Sequence, residues 1–137
     1  MVIDTSALVA IFLAEAERRQ FLDRIVEAAT RLISAANALE TGIVLETRRG
    51  EAAGREFDLF LVRANLQVIP VDGEQVEIAR SAWRRYGKGR HPAGLNFGDC
   101  FAYALAKSCG EPLLAKGTDF ATTDIALVTL NDDGTKR

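Results

Sequence analysis

Cysteine, histidine and proline are all scarce in this chain: two, one and three among 137 residues. Cys100 and Cys109 fall in one helical stretch, about 13 Å apart at the standard helical rise. A disulfide needs Cα atoms within about 7 Å, so these two do not bridge. Free thiols suit a reducing cytoplasm, where the chain is expected. One histidine and two cysteines also make a poor zinc site. Excess positive charge is missing too. The formal net charge is −2, so any grip on nucleic acid must come from a local basic patch or from metal ions. No apolar run approaches the roughly 20 residues of a membrane span; the longest is Ala7 to Ala14. Val2-Ile3 reads as a strand with Asp4 directly behind it, so neither a secretory leader nor membrane attachment is expected. Repeats, low-complexity tracts and Pro/Ser-rich linkers are absent.

What remains is a globular composition, 48% hydrophobic and 26% charged, in a length that suits one domain over 1–137. The polar tail 131–137 is expected to fray. Short apolar runs alternate with helical patterns. Strands are expected at 2–3, 31–34, 66–71, 112–115 and 125–129. Helices are expected at 5–13, 15–29, 35–49, 51–64, 74–86 and 98–108. Gly50, Gly87 and Gly110 mark helix ends. Strands separated by helices predict an α/β fold: a three-layer α/β/α sandwich around a central, mainly parallel sheet. Such folds place their sites outside the carboxyl ends of the strands, at a switch in strand order.

Acidic residues recur at those places. Asp4 follows the first strand, where it can serve chemistry or simply cap the next helix. Glu40 shares a helical face with Ala36, Leu39 and Ile43. If that face is buried, the carboxylate needs a partner or a metal; if the true face is rotated, Glu40 sits at the solvent boundary. Asp99 opens a helix with Ala102 and Ala106 on its side, and an acid in a first turn also favours the helix dipole. Asp119 and Asp124 flank a turn before the last expected strand, and either can be a turn residue. Each plain role is adequate alone. Together, acids at strand ends and on inward helix faces along the whole chain predict a converging carboxylate cluster. All-oxygen clusters of this kind suit Mg²⁺ or Mn²⁺, the ions of metal-assisted phosphodiester hydrolysis.

Four segments carry a family resemblance. Val2-Ile3-Asp4-Thr5-Ser6-Ala7-Leu8 looks like the opening motif of PIN domains. Ala36-Asn37-Ala38-Leu39-Glu40-Thr41 is similar to the second acidic motif. Leu95-Asn96-Phe97-Gly98-Asp99-Cys100-Phe101-Ala102-Tyr103-Ala104-Leu105-Ala106 closely resembles the third. Leu113-Leu114-Ala115-Lys116-Gly117-Thr118-Asp119-Phe120, with Thr123-Asp124-Ile125 behind it, looks like the fourth. Order and spacing hold from end to end. The resemblance is to the VapC-type toxins of type II VapBC toxin–antitoxin systems. It implies a PIN fold, a cytoplasmic homodimer, Mg²⁺-dependent endoribonuclease activity in which Mn²⁺ can substitute, and neutralisation by a VapB-type antitoxin. Operator DNA would be reached only through that antitoxin. By motif position Asp4, Glu40, Asp99 and Asp119 carry over as catalytic metal ligands, with Asp124 as a helper. Ser6 matches a hydroxyl beside the first acid. Thr118, standing where many relatives have Asn, bears on the supporting shell.

Between 83 and 91 lies Trp-Arg-Arg-Tyr-Gly-Lys-Gly-Arg-His. Arg84, Arg85, Tyr86, Lys88 and Arg90 are candidates to track and stack RNA; the alternative is an ordinary basic helix end with Trp83 in the core. The lone His91 has a weak claim as a base. Ala7 to Ala14 lacks a polar side, so it is either buried or meets another chain. Rival folds fit less well. A receiver-like domain wants an acidic pair beside Asp4, and an Asp-x-Asp phosphatase fails at Ser6. A degenerate, non-catalytic scaffold is disfavoured because all four acidic positions are filled. Single-stranded loops of tRNA or rRNA are reasonable substrates, since their bases can be splayed and read.

Overall fold

The computed structural model describes residues 1–130; the tail expected to fray, 131–137, lies outside them. Four strands form the sheet: β1 (Val2–Ile3), β2 (Leu32–Ser34), β3 (Gln67–Ile69) and β4 (Leu113–Leu114). Six helices connect them: α1 (Thr5–Phe12), α2 (Arg18–Glu27), α3 (Ala35–Arg49), α4 (Glu51–Arg63), α5 (Gly73–Tyr86) and α6 (Phe97–Cys109). The sheet order is β3-β2-β1-β4 and every pairing is parallel. The chain moves outward from β1 through β2 to β3, then returns to place β4 on the other side of β1. The switch in strand order therefore falls between β1 and β4.

Alternation along the strands divides the core into two layers. Val2, Leu32 and Leu113 face α5 and α6, packing with Ala79, Ala102 and Leu105. Ile3, Ile33 and Leu114 face the other way, packing with Leu8, Phe21, Leu45 and Phe57 from the first four helices. Helix α1 is apolar because it lies in this second layer: Ala7, Leu8, Ala10 and Ile11 are buried. Its lack of a polar side therefore reflects the monomer core.

Two expected elements differ. The second helix starts at Arg18 because Ala14 adopts a left-handed backbone (φ 54°), which ends the first helix and leaves Glu15 and Glu17 in the connection. The last expected strand is a single parallel bridge between Leu113 and Leu127. Leu113 N donates to Ala126 O and Val128 N to Leu113 O, both at 2.9 Å. The two-residue β4 offers no longer edge to extend it.

Candidate active site

Beside the switch point the β1–α1 and β4 turns are sewn together. Asp4 N donates to Leu114 O at 2.9 Å, and Lys116 N donates to Ser6 Oγ at 2.9 Å. A pocket of about 250 Å³ opens here, lined by Asp4, Ser6, Glu40, Asn96, Asp99 and Lys116, with Glu15 at its rim.

Asp4 is both a cap and a site residue. It is the N-cap of α1, with Oδ2 accepting from Ser6 N at 2.9 Å. Asp99 likewise belongs to a capping box: Asn96 Oδ1 accepts from Asp99 N at 2.8 Å, and Asp99 Oδ2 accepts from Asn96 N at 3.0 Å. The plain roles and the functional ones therefore coincide. A cap fixes a carboxylate at a helix N-terminus and leaves lone pairs free for a ligand.

Glu40 is held by a buried polar network. Its Oε1 accepts from Thr5 Oγ1 at 2.7 Å and from Asn37 Nδ2 at 3.1 Å. Asn37 spends its other amide hydrogen on Gly98 O at 3.0 Å, tying α3 to the start of α6. Thr41 Oγ1 sits 2.7 Å from Asn37 O and 3.2 Å from Thr5 Oγ1. Among the described residues Asn37 Oδ1 finds no partner although it is buried. That is a cost the fold carries to hold Glu40 in place. The buried face of α3 is this network plus Leu45. The face shared by Leu39 and Ile43 is instead open to solvent, with exposures of 67% and 56%. Glu40 thus sits at the boundary between the two.

Electrostatics bring four acids together. Burial pushes the Asp4 carboxyl up, hydrogen bonding from Ser6 opposes this, and the charges of Glu40 and Asp119 push it further up. Burial likewise raises Asp99 to about 7; the Asn96 amide pulls the other way, and the charges of Asp4, Asp119 and Glu40 add to the rise. Asp119 is exposed and stands outside the pocket lining, yet its charge reaches both. Among the described residues no three acidic, His or Cys side chains close on one point at metal-binding geometry. The carboxylates are spaced around a pocket with room for water. Asp4, Glu40 and Asp99 offer an all-oxygen donor set around a pocket, the ligand chemistry of Mg²⁺, which keeps several waters and takes few direct carboxylates.

Other expected residues lie elsewhere. Asp124 is occupied by Tyr103 Oη at 2.5 Å and Lys107 Nζ at 2.7 Å, with Arg85 at 3.8 Å. Those partners hold its carboxyl down at about 2, and it is not in the acidic group. Tyr86 is buried, edge-on to His91 at 5.1 Å, and so cannot stack a base. Arg90 lies over the Trp83 ring at 4.2 Å, and Trp83 is 46% exposed rather than in the core. Arg84 and Lys88 are exposed, as is Thr118. His91 Nδ1 accepts from Ala93 N at 3.0 Å, away from the acids. Thr5, Asn37, Asn96 and Lys116 escaped sequence reasoning. All four lie within the quoted motifs, as polar residues beside the acids.

An acidic pocket outside the carboxyl ends of a parallel three-layer sheet, framed by four motifs in order, defines a PIN domain. The model of that family, described as PIN domain, matches residues 1–126, and the chain belongs to it. Its sequence relatives are VapC proteins. It is 55% identical over 128 residues to a ribonuclease VapC of Mycolicibacterium smegmatis, covering 93% of this chain and 99% of the relative. It is 54% identical over 130 residues to ribonuclease VapC30 of Mycobacterium tuberculosis, covering 95% and 99%. Among solved structures, M. tuberculosis VapC20, described as a sarcin–ricin loop cleaving toxin, superposes with a TM-score of 0.76 at 19% identity, covering 93% and 97%. VapBC2 of Rickettsia felis, solved with a promoter DNA fragment, gives 0.71 at 15% identity, covering 95% and 98%. At these identities the two structures speak for the fold.

Proposed function

We propose that this chain is a Mg²⁺-dependent endoribonuclease, with Mn²⁺ able to substitute, acting as the toxin of a toxin–antitoxin pair in the cytoplasm. The observation that carries the reading is the gathering of Asp4, Glu40 and Asp99 around one pocket at the strand switch, with the charge of Asp119 reaching Asp4 and Asp99 from outside it. Such crowding is unfavourable without a compensating cation. Asp4, Glu40 and Asp99 would hold the ion, with Asp119 at the outer edge. A bound divalent cation supplies Lewis-acid chemistry: it activates water and neutralises charge on the phosphodiester. The chain's own part is positional. Capping fixes Asp4 and Asp99, and Thr5 and Asn37 hold Glu40 by its Oε1, leaving Oε2 without a protein donor among the described residues. Hydrolysis by water leaves 5′-phosphate and 3′-hydroxyl ends.

We read the chain as a single domain, since the family model spans residues 1–126. Single-stranded loops of tRNA or rRNA are the proposed substrates, with Arg84 and Lys88 as outer contacts. The VapC20 description as a sarcin–ricin loop cleaving toxin supports a looped RNA. A VapB-type antitoxin is the proposed partner, with operator DNA reached through it; the R. felis complex with promoter DNA supports this. No helix among the described residues is long and apolar enough to cross a membrane.

A homodimer is part of the proposal. Phe97, 81% exposed, stands as a ridge between two apolar grooves. One, about 540 Å³, includes Val76 and Trp83; the other, about 420 Å³, includes Leu39 and Ile43. A two-fold axis through this face would set each protomer's ridge into its partner's groove, as an isologous interface requires.

The direct test incubates purified chain with a mixed pool of structured RNA in Mg²⁺, in Mn²⁺ and in EDTA, beside Asp99→Asn. Cleavage that needs metal and is lost in the folded variant supports the reading. Ends bearing 2′,3′-cyclic phosphate would overturn the hydrolytic route, because they mark attack by the RNA's own 2′-hydroxyl.

A further inference from the structure

We infer that Lys116 anchors an RNA phosphate at this site and is kept poised for it by Glu15 and Glu17. The inference rests on the nuclease reading above and deepens it.

The problem it solves is electrostatic. A chain of net charge −2 whose pocket is lined by Asp4, Glu15, Glu40 and Asp99 repels a polyanion. The expected basic stretch relieves this only in part, because Arg85 is drawn to Asp124 and Arg90 to Trp83. Among the described residues Lys116 is the one cationic side chain lining the acidic pocket.

Its placement is built. The backbone leaves β4 and is fastened by Lys116 N to Ser6 Oγ, two residues past Asp4. The origin of the side chain is therefore fixed relative to the first acid. At its far end, Nζ sits 2.6 Å from Glu15 Oε1 and 3.5 Å from Glu17 Oε1. Both acids come from the short connection that the left-handed Ala14 creates between α1 and α2. An ammonium has three donors. Glu15 takes one and Glu17 is only loosely engaged, so two have no hydrogen-bond partner among the described residues. The Lys116–Glu15 pair is partly exposed, and exposed ion pairs are weak, so a phosphate oxygen can exchange for the Glu15 carboxylate while the buried Glu17 Oε1, otherwise without a hydrogen bond among the described residues, keeps its charge beside Nζ. Lysine suits the task because its charge is compact and is satisfied from several directions. Without RNA the two glutamates hold the ammonium beside the pocket.

The test separates a phosphate contact from a tie between turns. The parent is the full chain carrying Asp99→Asn, so that RNA is not consumed. The probe is a fluorescein-labelled single-stranded RNA of mixed sequence, with anisotropy read in Mg²⁺ between about 50 and 200 mM KCl. Adding Lys116→Met should weaken binding about fivefold or more and lower the slope of log K against log salt by about 0.7, one phosphate on a single strand. Lys116→Arg should keep the slope. Glu15→Gln should tighten binding, because it frees the ammonium. An unchanged slope in a folded Lys116→Met variant overturns the inference. If that variant does not fold, Glu15→Gln decides: unchanged or weaker binding overturns it. Cleavage by the chain with Asp99 intact is read in parallel. Cleavage together with an unchanged slope removes Lys116 alone. No cleavage and no binding removes the nuclease reading and this inference with it.

Discussion

Gly98 has no side chain where the Glu40 carboxylate needs the space. A Cβ built on Gly98 would collide with both carboxylate oxygens. The start of α6 can therefore approach α3 closely enough for Asn37 to bond Gly98 O and Glu40 together. Gly98→Ala is accordingly predicted to separate activity from stability. Gly98 lies in the first turn of a helix, where alanine is the better helix former by up to about 1 kcal/mol, and the group it displaces is the flexible end of a side chain. Displacing Glu40 also breaks its bonds from Thr5 and Asn37, which offsets the helix gain, so the melting temperature should change by only a few degrees, while metal-dependent RNA cleavage falls about tenfold or more. Unchanged cleavage would show that Glu40 can move without consequence and would take it out of the site.

Acid should stabilise the metal-free protein. Asp99 is raised from its ordinary value of 3.8 to about 7, so between those values the folded chain holds a proton that the unfolded chain has released. The contribution is fully present below about pH 4 and is lost as pH rises through about 7. Stability should therefore rise as pH falls from about 7.5 to about 5.5, read as a higher Tm in EDTA. Asp99→Asn should raise Tm at pH 7.5 and flatten the dependence. Millimolar Mg²⁺ should also raise Tm at pH 7.5, with less effect at pH 5.5, where protons compete. A Tm that is flat or falls on acidification would contradict this account of Asp99.

Asp124 sits among Tyr103, Lys107 and Arg85, which gives it a structural role. Asp124→Asn should cost about 1 to 2 kcal/mol, the range for losing charge-assisted hydrogen bonds, as read by urea unfolding. Cleavage should stay within about twofold of the parent. A large loss of cleavage without loss of stability would return Asp124 to the metal site.

How far the sequence could be read follows from what periodicity reports. It locates apolar faces, and so it placed the sheet, the helices and the strand-end acids; the third helix runs from Ala35 to Arg49 as expected. It does not say what an apolar face meets. Ala36, Leu39 and Ile43 look like a core stripe, yet Leu39 and Ile43 are open, and the inward side of α3 is the polar set Asn37 and Thr41. A buried network built from Thr and Asn has no hydrophobic period, so only the three-dimensional meeting of α1, α3 and α6 exposes it. Tyr86 and Asp124 misled for a related reason. Composition marks a residue as able to stack or ligate, but its neighbours in space decide whether it is free to do so.

The open apolar face yields the last prediction. Leu39, Ile43, Val76, Trp83 and Phe97 together leave on the order of 600 Å² of side chain in water, at the upper end of patches on monomers. A standard interface buries about 800 Å² per partner, so these residues with their polar rim suffice for a two-fold contact. Phe97 contributes little to the monomer core because it is 81% exposed. Phe97→Asp and Leu39→Asp should therefore leave the fold and Tm of a protomer nearly intact while placing a charge at the centre of the interface, where burial without a partner is costly. Light scattering coupled to size exclusion should find the unaltered chain dimeric at micromolar concentration and both variants monomeric. A parent that is monomeric in the absence of any partner would assign this face to a different protein, and the two variants should then lose that complex instead.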